Sequence, residues 1–349
     1  MERERVEAFL EKFVGFASGA TTIGLLAVAD RSGLTSYLGK HGGGTTSEIA
    51  EGAGLEERYV TEILSGLAAA GVVEWDSYSR RFHLPPEHAT FIADPASPYF
   101  MGGWLDLIPA SFRQLEGVAT ATVHGGGVGF EEFGKDIIRG IDRGNTPSQR
   151  IFLNKRWLPA IPGLVDRLER GIRVADLGCG SGTVPQLVAE AYPNSEVFGY
   201  DSSEDSIAVA KARTETVPNV QFHAYAVKEV PPEPRFDLIT TFDVIHDLAD
   251  PEGALAHIFD CLRADGVYLM MEPNLSSNLE NNLSDLGALF YGISVLHCMT
   301  QSLAKGGVGL GAAWGRGEAE KMVRAAGFSV FEELEDISNR FNAFYLIRK

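Results

Sequence analysis

The stretch RVADLGCGSGT, residues Arg173 to Thr183, decides the fold. Arg173 to Leu177 reads as a β-strand and the residues from Thr183 as a helix, so Gly178, Gly180 and Gly182 occupy a strand-to-helix turn. Glycine lets such a turn bend sharply and approach a ligand where a Cβ would clash, and the helix N-terminus that follows presents free N–H groups. An acid, Asp176, sits just ahead of the first glycine. The spacing is G-x-G-x-G, with Thr183 where a dinucleotide fingerprint would carry its third glycine. Nicotinamide-binding loops use G-x-G-x-x-G and leave room for a pyrophosphate, so this loop is a poor dinucleotide cradle.

Outward from this turn, strand and helix patterns alternate, the signature of a largely parallel sheet covered on both faces. Further strands are predicted at EVFGYD, VQFHAYA, FDLITTFDV and GVYLMMEP, with helices over Thr183 to Ala191, Ser203 to Thr214 and Asp250 to Leu262. Asp250 followed by Pro251 makes a good N-cap and first helical position. After the fifth strand an insertion covers roughly 275–314, then come a helix over Glu318 to Ala326 and two strands in FSVFEELE and FNAFYLIRK. The predicted fold class is α/β, a Rossmann-like seven-stranded sheet. Asp201 ends its second strand, where a carboxylate can accept both hydroxyls of a ribose; the plainer alternative is a surface acid capping the next helix. The fourth strand runs into FDVIHDLADPEGAL at the carboxyl edge of the sheet, where open α/β folds bind ligands.

Residues 1–85 have another grammar. An apolar-periodic helical segment from Val6 and a second through Leu25 and Ala29 precede TTSEIAEGAGLEERYVTEILSGLAAAGVVEWDSYSRRFHL, which reads as a winged helix. Thr46 and Ser47 can cap a short helix, Gly52 to Gly54 form a turn, Glu56 to Ala70 a longer helix, and Val72 to Leu84 a two-stranded wing. The longer helix occupies the recognition position and carries Glu56, Glu57 and Glu62 against Arg58 alone, whereas a DNA-reading helix carries a basic footprint. A packing or dimerisation domain is expected instead, since apolar runs such as TTIGLLAVA need burial. Residues 86–165 read as a helical lid or linker, broken at Gly125 to Gly127 and Gly140 to Gly144, with a long helix from Pro147 through Trp157 to Leu168. Residues 166–349 form the α/β domain.

The formal net charge of -17 repels phosphate backbones, whose neutralisation by Lys and Arg supplies most non-specific nucleic-acid affinity. A small-molecule substrate is therefore favoured over nucleic acid. Cys179, Cys261 and Cys298 are odd in number and widely spaced, which fits neither a disulfide framework nor a zinc site. No metal is expected, and a reducing cytoplasm is the simplest setting. MERERVEAFLEKF alternates charged and apolar residues in the helical period and lacks the core and cleavage site of an export signal. VGFASGATTIGLLAVA is charge-free but short for a span of roughly 20 apolar residues, and LGALFYGISVLHCMTQSLA is too polar, so no membrane partner is expected.

On these residues the chain resembles class I S-adenosylmethionine-dependent methyltransferases with an N-terminal winged-helix domain. That group includes the plant-type small-molecule O-methyltransferases and the mycobacterial winged-helix methyltransferases of unassigned substrate. GLLAVADRSGLTSYLG, TTSEIAEGAGLEERYVTEIL, RVADLGCGSGT, FDVIHDLADPEGAL, MMEPN, VLHCMTQSLAKGG, GLGAAWG, AGF and FNAFYLIRK carry the resemblance over nearly the whole chain. It implies S-adenosyl-L-methionine as cofactor, with Asp176, Gly178, Cys179 and Gly180 along its methionine end, Asp201 and Ser202 at the ribose, and Phe242 and Asp243 beside the reactive part. Many relatives end the third strand in an Asp that meets the adenine amino group. HAYAVKE places Ala226 there, which leaves backbone groups around Ala226 and Val227, or Tyr225, for that contact.

The resemblance also implies that His246, with Asp247 or another carboxylate orienting it, removes the acceptor's proton. A hydroxyl attacks a sulfonium methyl far better once deprotonated, and imidazole, with its pKa of about 6.5, suits the task. The alternative is that His246 only packs against cofactor and lid, since positioning alone can carry such a reaction. Trp157, Phe290, Tyr291 and His297 are the candidate acceptor pocket, and His297 and Cys298 are read as its lining rather than as a metal site or nucleophile. A homodimer through residues 1–85 is expected. Two other functions stay open: a non-catalytic regulator that senses a ligand, opposed by the acidic recognition helix, and a nicotinamide-dependent oxidoreductase, opposed by the loop spacing.

Overall fold

A computed structural model describes residues 2–349. The chain forms two compact units, residues up to Ala110 with Lys135–Pro147, and Ser111–Gly134 with Ser148–Lys349.

The first unit opens with one helix, Arg3–Arg31, where two segments were predicted. Gly15, Gly19 and Gly24 have open space where a Cβ would stand, and isolated glycines cost a helix only about 1 kcal/mol each, too little to stop it. Helices Leu34–His41, Thr46–Ala53 and Glu57–Ala69 follow. The cap of the second of these is Thr45, not Thr46 or Ser47: its hydroxyl accepts the Glu48 N–H at 3.3 Å while Glu48 Oε2 accepts the Thr45 N–H at 2.9 Å. Strands Gly43–Gly44 (β1), Glu74–Asp76 (β2) and Arg81–His83 (β3) pair antiparallel in the order β1-β3-β2, so the predicted wing gains a third, very short strand. Val60, Ile63, Leu64 and Leu67 face inward onto Leu26, Leu34 and Leu38, and Glu57, Arg58 and Glu62 stay exposed.

Gly140 to Gly144 do not break the chain. They lie inside helix Lys135–Phe152, which also runs through Pro147. Glycine serves close approach here: a Cβ on Gly103 would stand 2.4 Å from the Gly140 carbonyl oxygen, and one on Gly140 would stand 2.9 Å from Leu107 N. Beside this contact Asp106, on helix Trp104–Phe112, is 1% exposed and accepts hydrogen bonds from Arg139 at 2.5 Å and Arg143 at 2.6 Å, with Arg31 at 3.4 Å. Arg143 also forks onto Asp30 at 2.9 and 3.0 Å.

The second unit holds seven strands: Arg173–Leu177 (β4), Glu196–Tyr200 (β5), Val220–His223 (β6), Phe236–Phe242 (β7), Leu262–Pro273 (β8), Val330–Glu333 (β9) and Asn342–Arg348 (β10). Their order is β6-β5-β4-β7-β8-β10-β9, parallel from β4 to β8, with β10 antiparallel to both neighbours. This is the predicted α/β sheet. Its central strands are buried on both faces, as their largely apolar runs require, and the polar side chains Asp176 and Thr240 within them pair with each other. The order reverses between β4 and β7, so their carboxyl ends splay apart into a crevice. The helix predicted from Pro147 to Leu168 is instead interrupted by a π-helical turn over Leu153–Trp157 and a 3-10 turn over Leu158–Ala160 before helix Leu164–Arg170. In the insertion, helix Asp285–Ile293 passes through a π-helical turn, Ser294–Cys298, into helix Met299–Ala304.

Among the described residues two helices, Arg3–Arg31 and Asp285–Ala304, are long and apolar enough by length and composition to cross a membrane. The first stretch was predicted too short; it gains length because the charged start and the charge-free run form one helix. Half of the second helix's apolar window is buried inside the fold.

Burial pushes the Asp106 carboxyl up, and the Arg139 and Arg143 guanidiniums outweigh it and hold its pKa below the ordinary value. Asp106→Asn is expected to lower the unfolding free energy by about 2–4 kcal/mol at neutral pH, read from urea denaturation. Because the folded pKa is depressed, the carboxylate stabilises above its unfolded pKa and loses that effect as pH falls. Parent and variant should therefore begin to converge as pH falls below about 4 and meet once it passes the lowered folded pKa, and a pH-independent difference would contradict this account.

Candidate functional site

The glycine turn sits at the carboxyl end of β4. Gly178, Gly180 and Gly182 adopt φ of 72°, 53° and 82°, the left-handed region that side chains resist. Gly178 and Cys179 donate their N–H groups to the Tyr200 carbonyl at 2.7 and 3.0 Å, which pins the turn to the end of β5. A Cβ on Gly178 would stand 2.5 Å from Val244 Cγ2, whereas one on Gly180 meets nothing within 4 Å. The turn is packed from behind and open in front of Gly180.

Asp201, just past β5, closes the turn from the side. Its Oδ2 accepts the Gly180 N–H at 2.9 Å and its Oδ1 accepts the Ser203 N–H at 2.8 Å, and each oxygen keeps a second lone pair. Burial raises its pKa. Asp176 is buried beneath, where its Oδ1 accepts the Thr240 hydroxyl at 2.6 Å. Burial, with the Asp201 charge adding, lifts the Asp176 pKa to about 7. The Cys179 thiol is pushed well up by burial, and Ser202 is exposed.

At the end of β6 the backbone of Ala226 is already engaged: its N–H donates to Glu229 Oε2 at 2.8 Å and its carbonyl accepts the Glu229 N–H at 2.8 Å. The Val227 side chain is buried in the core. Tyr225 is 41% exposed, its ring stacked near His223 at 5.7 Å and Tyr200 at 6.3 Å. Of the groups considered at this strand end, Tyr225 offers the exposed aromatic face.

The second half of the site follows β7. Phe242 is buried, and Asp243 has a φ of 57°, one of two non-glycine residues with positive φ among those described. Burial brings the Asp243 pKa to about 7, with His246 opposing and Glu272 and Asp247 adding to the rise. His246 and Asp247 sit in a 3-10 turn, Ile245–Asp247. The His246 ring lies between two carboxylates: Nδ1 is 2.6 Å from Glu272 Oε2, and Nε2 is 3.1 Å from Asp247 Oδ1. Glu272 does more, because its Oε1 also accepts the backbone N–H groups of Ile245 at 2.9 Å and Val244 at 3.3 Å. Burial alone would lower the imidazole pKa, but Asp247 and Glu272 outweigh it and hold it well above the ordinary value. Glu272 lies in the quoted MMEPN block, yet nothing local to the sequence assigned it a role. The available signal was an acid closing the apolar run GVYLMM of the strand, where burial obliges it to find partners.

The insertion closes on this turn. Ser302 Oγ donates to the Leu248 carbonyl at 2.9 Å, and the Gly311 N–H donates to the His246 carbonyl at 3.2 Å. His297 is 3% exposed, edge-on to Phe133 with ring centres 5.0 Å apart. Phe290 is buried, and Tyr291 accepts a hydrogen bond from Asn282 Nδ2 at 3.1 Å within the insertion. Trp157 packs in the core beneath Phe242, 5.7 Å away, and Phe344, 4.9 Å away. The ligand atoms of His246, Asp247 and Cys298 lie within 4.8 Å of one another, a spacing that could hold a cation. Burial pushes the Cys298 thiol up to about 12, so that trio would have to expel a tightly held proton first.

Residues 168–327 match the family model of a methyltransferase domain, and residues 19–94 match that of an Rv2258c-like winged HTH domain. Trans-aconitate 2-methyltransferase of Acidovorax ebreus is 34% identical over 124 residues, 35% of this chain and 47% of that protein. The chain spans about half the length, or less, of the curated relatives it matches. Among solved structures, a putative O-methyltransferase from Nostoc punctiforme PCC 73102 shares the fold with a TM-score of 0.74 at 18% identity, covering 98% of each chain. Human N-acetylserotonin methyltransferase, solved in complex with SAM, gives 0.72 at 17% identity over 100% of this chain and 99% of that one.

Proposed function

The chain carries a methyltransferase domain and an Rv2258c-like winged-helix domain, and from that premise we propose that it transfers a methyl group from S-adenosylmethionine to a hydroxyl of a small molecule. The observation that carries this reading is the pairing of two features at the ends of β4 and β7. One is a glycine turn open in front of Gly180 and tied to Asp201; the other is a histidine held by a buried glutamate.

The residues present fit the cofactor. Gly180 leaves room for a ligand to approach the backbone, the free lone pairs of Asp201 suit ribose hydroxyls, and Asp176 suits a cationic methionine end. Gly178 and Cys179 shape the turn, Phe242 and Asp243 lie at the adjoining strand end, and Tyr225 is the aromatic face offered to the adenine. S-adenosylmethionine bound there supplies an electrophilic methyl group to the acceptor. Calorimetry should show the parent binding S-adenosylmethionine and not NAD, with Asp201→Asn weakening it by about 1–3 kcal/mol. Unaltered affinity in that variant would move the cofactor site elsewhere.

His246 is the base in this reading. Glu272 fixes the ring through Nδ1, which leaves Nε2, on the Asp247 side, to receive the acceptor's proton. The two carboxylates favour the charged imidazole, and a charged ring cannot accept a proton. The acceptor rate should therefore rise with pH through a value above the ordinary imidazole range of about 6.5. Glu272→Gln should shift that rise to lower pH, because one of the two charges favouring the protonated ring is gone. His246→Ala should cut turnover by about 10²–10⁴ with little change in cofactor affinity; near-parental turnover would mean that positioning alone carries the reaction.

The winged-helix unit serves self-association rather than nucleic acid in this reading. Val6, Phe9, Leu10, Phe13 and Phe16 are about half exposed and recur at helical spacing along Arg3–Arg31, an apolar stripe that a second copy can cover. Light scattering should give a dimer mass. A monomer, binding to lipid vesicles, or salt-sensitive binding to random duplex DNA would each overturn this. The free thiols of Cys179, Cys261 and Cys298 suit a reducing cytoplasm.

A further inference from the structure

Five buried side-chain polar atoms make no hydrogen bond of good geometry among the described residues, and one of them, Asp247 Oδ1, is ion-paired with His246. Two, Asn154 Oδ1 and Arg173 Nε, are isolated, the latter at the amino end of β4, far along the strand from the glycine turn. Asp247 Oδ1 has the His246 ring 3.1 Å away, and the remaining two, His297 Nδ1 and Gln301 Nε2, lie on elements packed against the His246 turn. Leaving such an atom dry costs about 1–3 kcal/mol, so two on neighbouring turns of one helical segment mark a place where a ligand completes the pattern.

Their convergence follows from the helix. His297 and Gln301 are four residues apart and so share one face. Ser302, next in the chain, ties that helix to Leu248, and Cys298 brings it to within 4.8 Å of the His246 and Asp247 ligand atoms. His297 and Gln301 are 3% and 9% exposed. Phe130 and Phe133 wall the imidazole at 6.0 and 5.0 Å, an apolar surround for a flat ligand. His297 also lies in the π-helical turn Ser294–Cys298, the kind of irregularity that re-aims side chains at functional sites. Burial lowers its pKa, so its Nδ1 can serve as donor or acceptor at neutral pH.

We propose that His297 and Gln301 form a second polar subsite that holds an oxygen adjacent to the methylated hydroxyl, so that the acceptor is an arene bearing two neighbouring oxygens. This rests on the methyltransferase reading above. The reacting hydroxyl gives its proton to His246 and turns a lone pair to the methyl group, so it cannot also serve Gln301 Nε2, which is a donor. A neighbouring oxygen has the lone pairs that donor needs. A neighbouring amine presents hydrogens instead.

The test is calorimetry on the full chain saturated with S-adenosylhomocysteine, titrated with 1,2-dihydroxybenzene, phenol and 2-aminophenol. The dihydroxy probe should bind about tenfold or more tighter than the other two, and Gln301→Leu and His297→Phe should each reduce that ratio to about threefold or less. Equal binding of the probes, no binding of any at millimolar concentration, or an undiminished ratio in folded variants overturns the subsite, the last because buried water then satisfies these atoms. S-adenosylhomocysteine affinity of the parent is measured first. Its absence overturns the methyltransferase reading and the subsite together, whereas its presence without discrimination among the probes overturns the subsite alone.

Discussion

One buried carboxylate holds the reactive edge of the sheet in shape. Glu272 ends the apolar part of β8, and its two oxygens take the Val244 and Ile245 N–H groups and the His246 ring. Without it the chain leaving β7 would bury two unsatisfied amides and an imidazole with no fixed orientation, each a substantial cost in a dry interior. The same acid therefore sets the backbone of the turn and the protonation of its histidine. The insertion is fastened to that turn and the residue after it by the Gly311 contact and the Ser302 tether.

How far the sequence revealed this depended on whether a signal was local. The glycine turn, Asp201 and the alternation of strand and helix are local, since they follow from backbone conformations that only certain residues adopt and from periods that few residues define. Glu272 was not legible, because its meaning lies in a turn one crossover earlier in the chain. Gly140 and Gly144 read as breaks for the same reason: glycine's helix penalty is visible in one segment, whereas its use, letting Gly103 come close, needs the other. The single helix Arg3–Arg31 shows that three scattered glycines do not end a helix when nothing else does. The orphan atoms of His297 and Gln301 have no local mark, since a polar residue on an apolar helix face reads equally as core.

The site gathers acids. Asp176 and Asp201 lie at the ends of β4 and β5, and Asp243, Asp247 and Glu272 gather about His246 at the ends of β7 and β8. Burial drives Asp176 and Asp243 toward neutrality at physiological pH, which stores an unfavourable charge balance in the free protein. A cationic ligand relieves it. Such crowding suits a molecule that carries positive charge at both an amine and a sulfonium, and it disfavours a pyrophosphate, in line with the glycine spacing.

Asp243 concentrates that tension at one residue. A left-handed backbone and a buried carboxyl each work against folding, so the position is a point where the protein is less stable than its sequence could make it. Selection for heat tolerance alone would replace this residue early, with glycine or asparagine, because both accept the backbone and neither carries the charge. A thermostable descendant reached by that route would keep its fold and forfeit the buried acid beside His246, so durability and the charge pattern of this strand end pull in opposite directions.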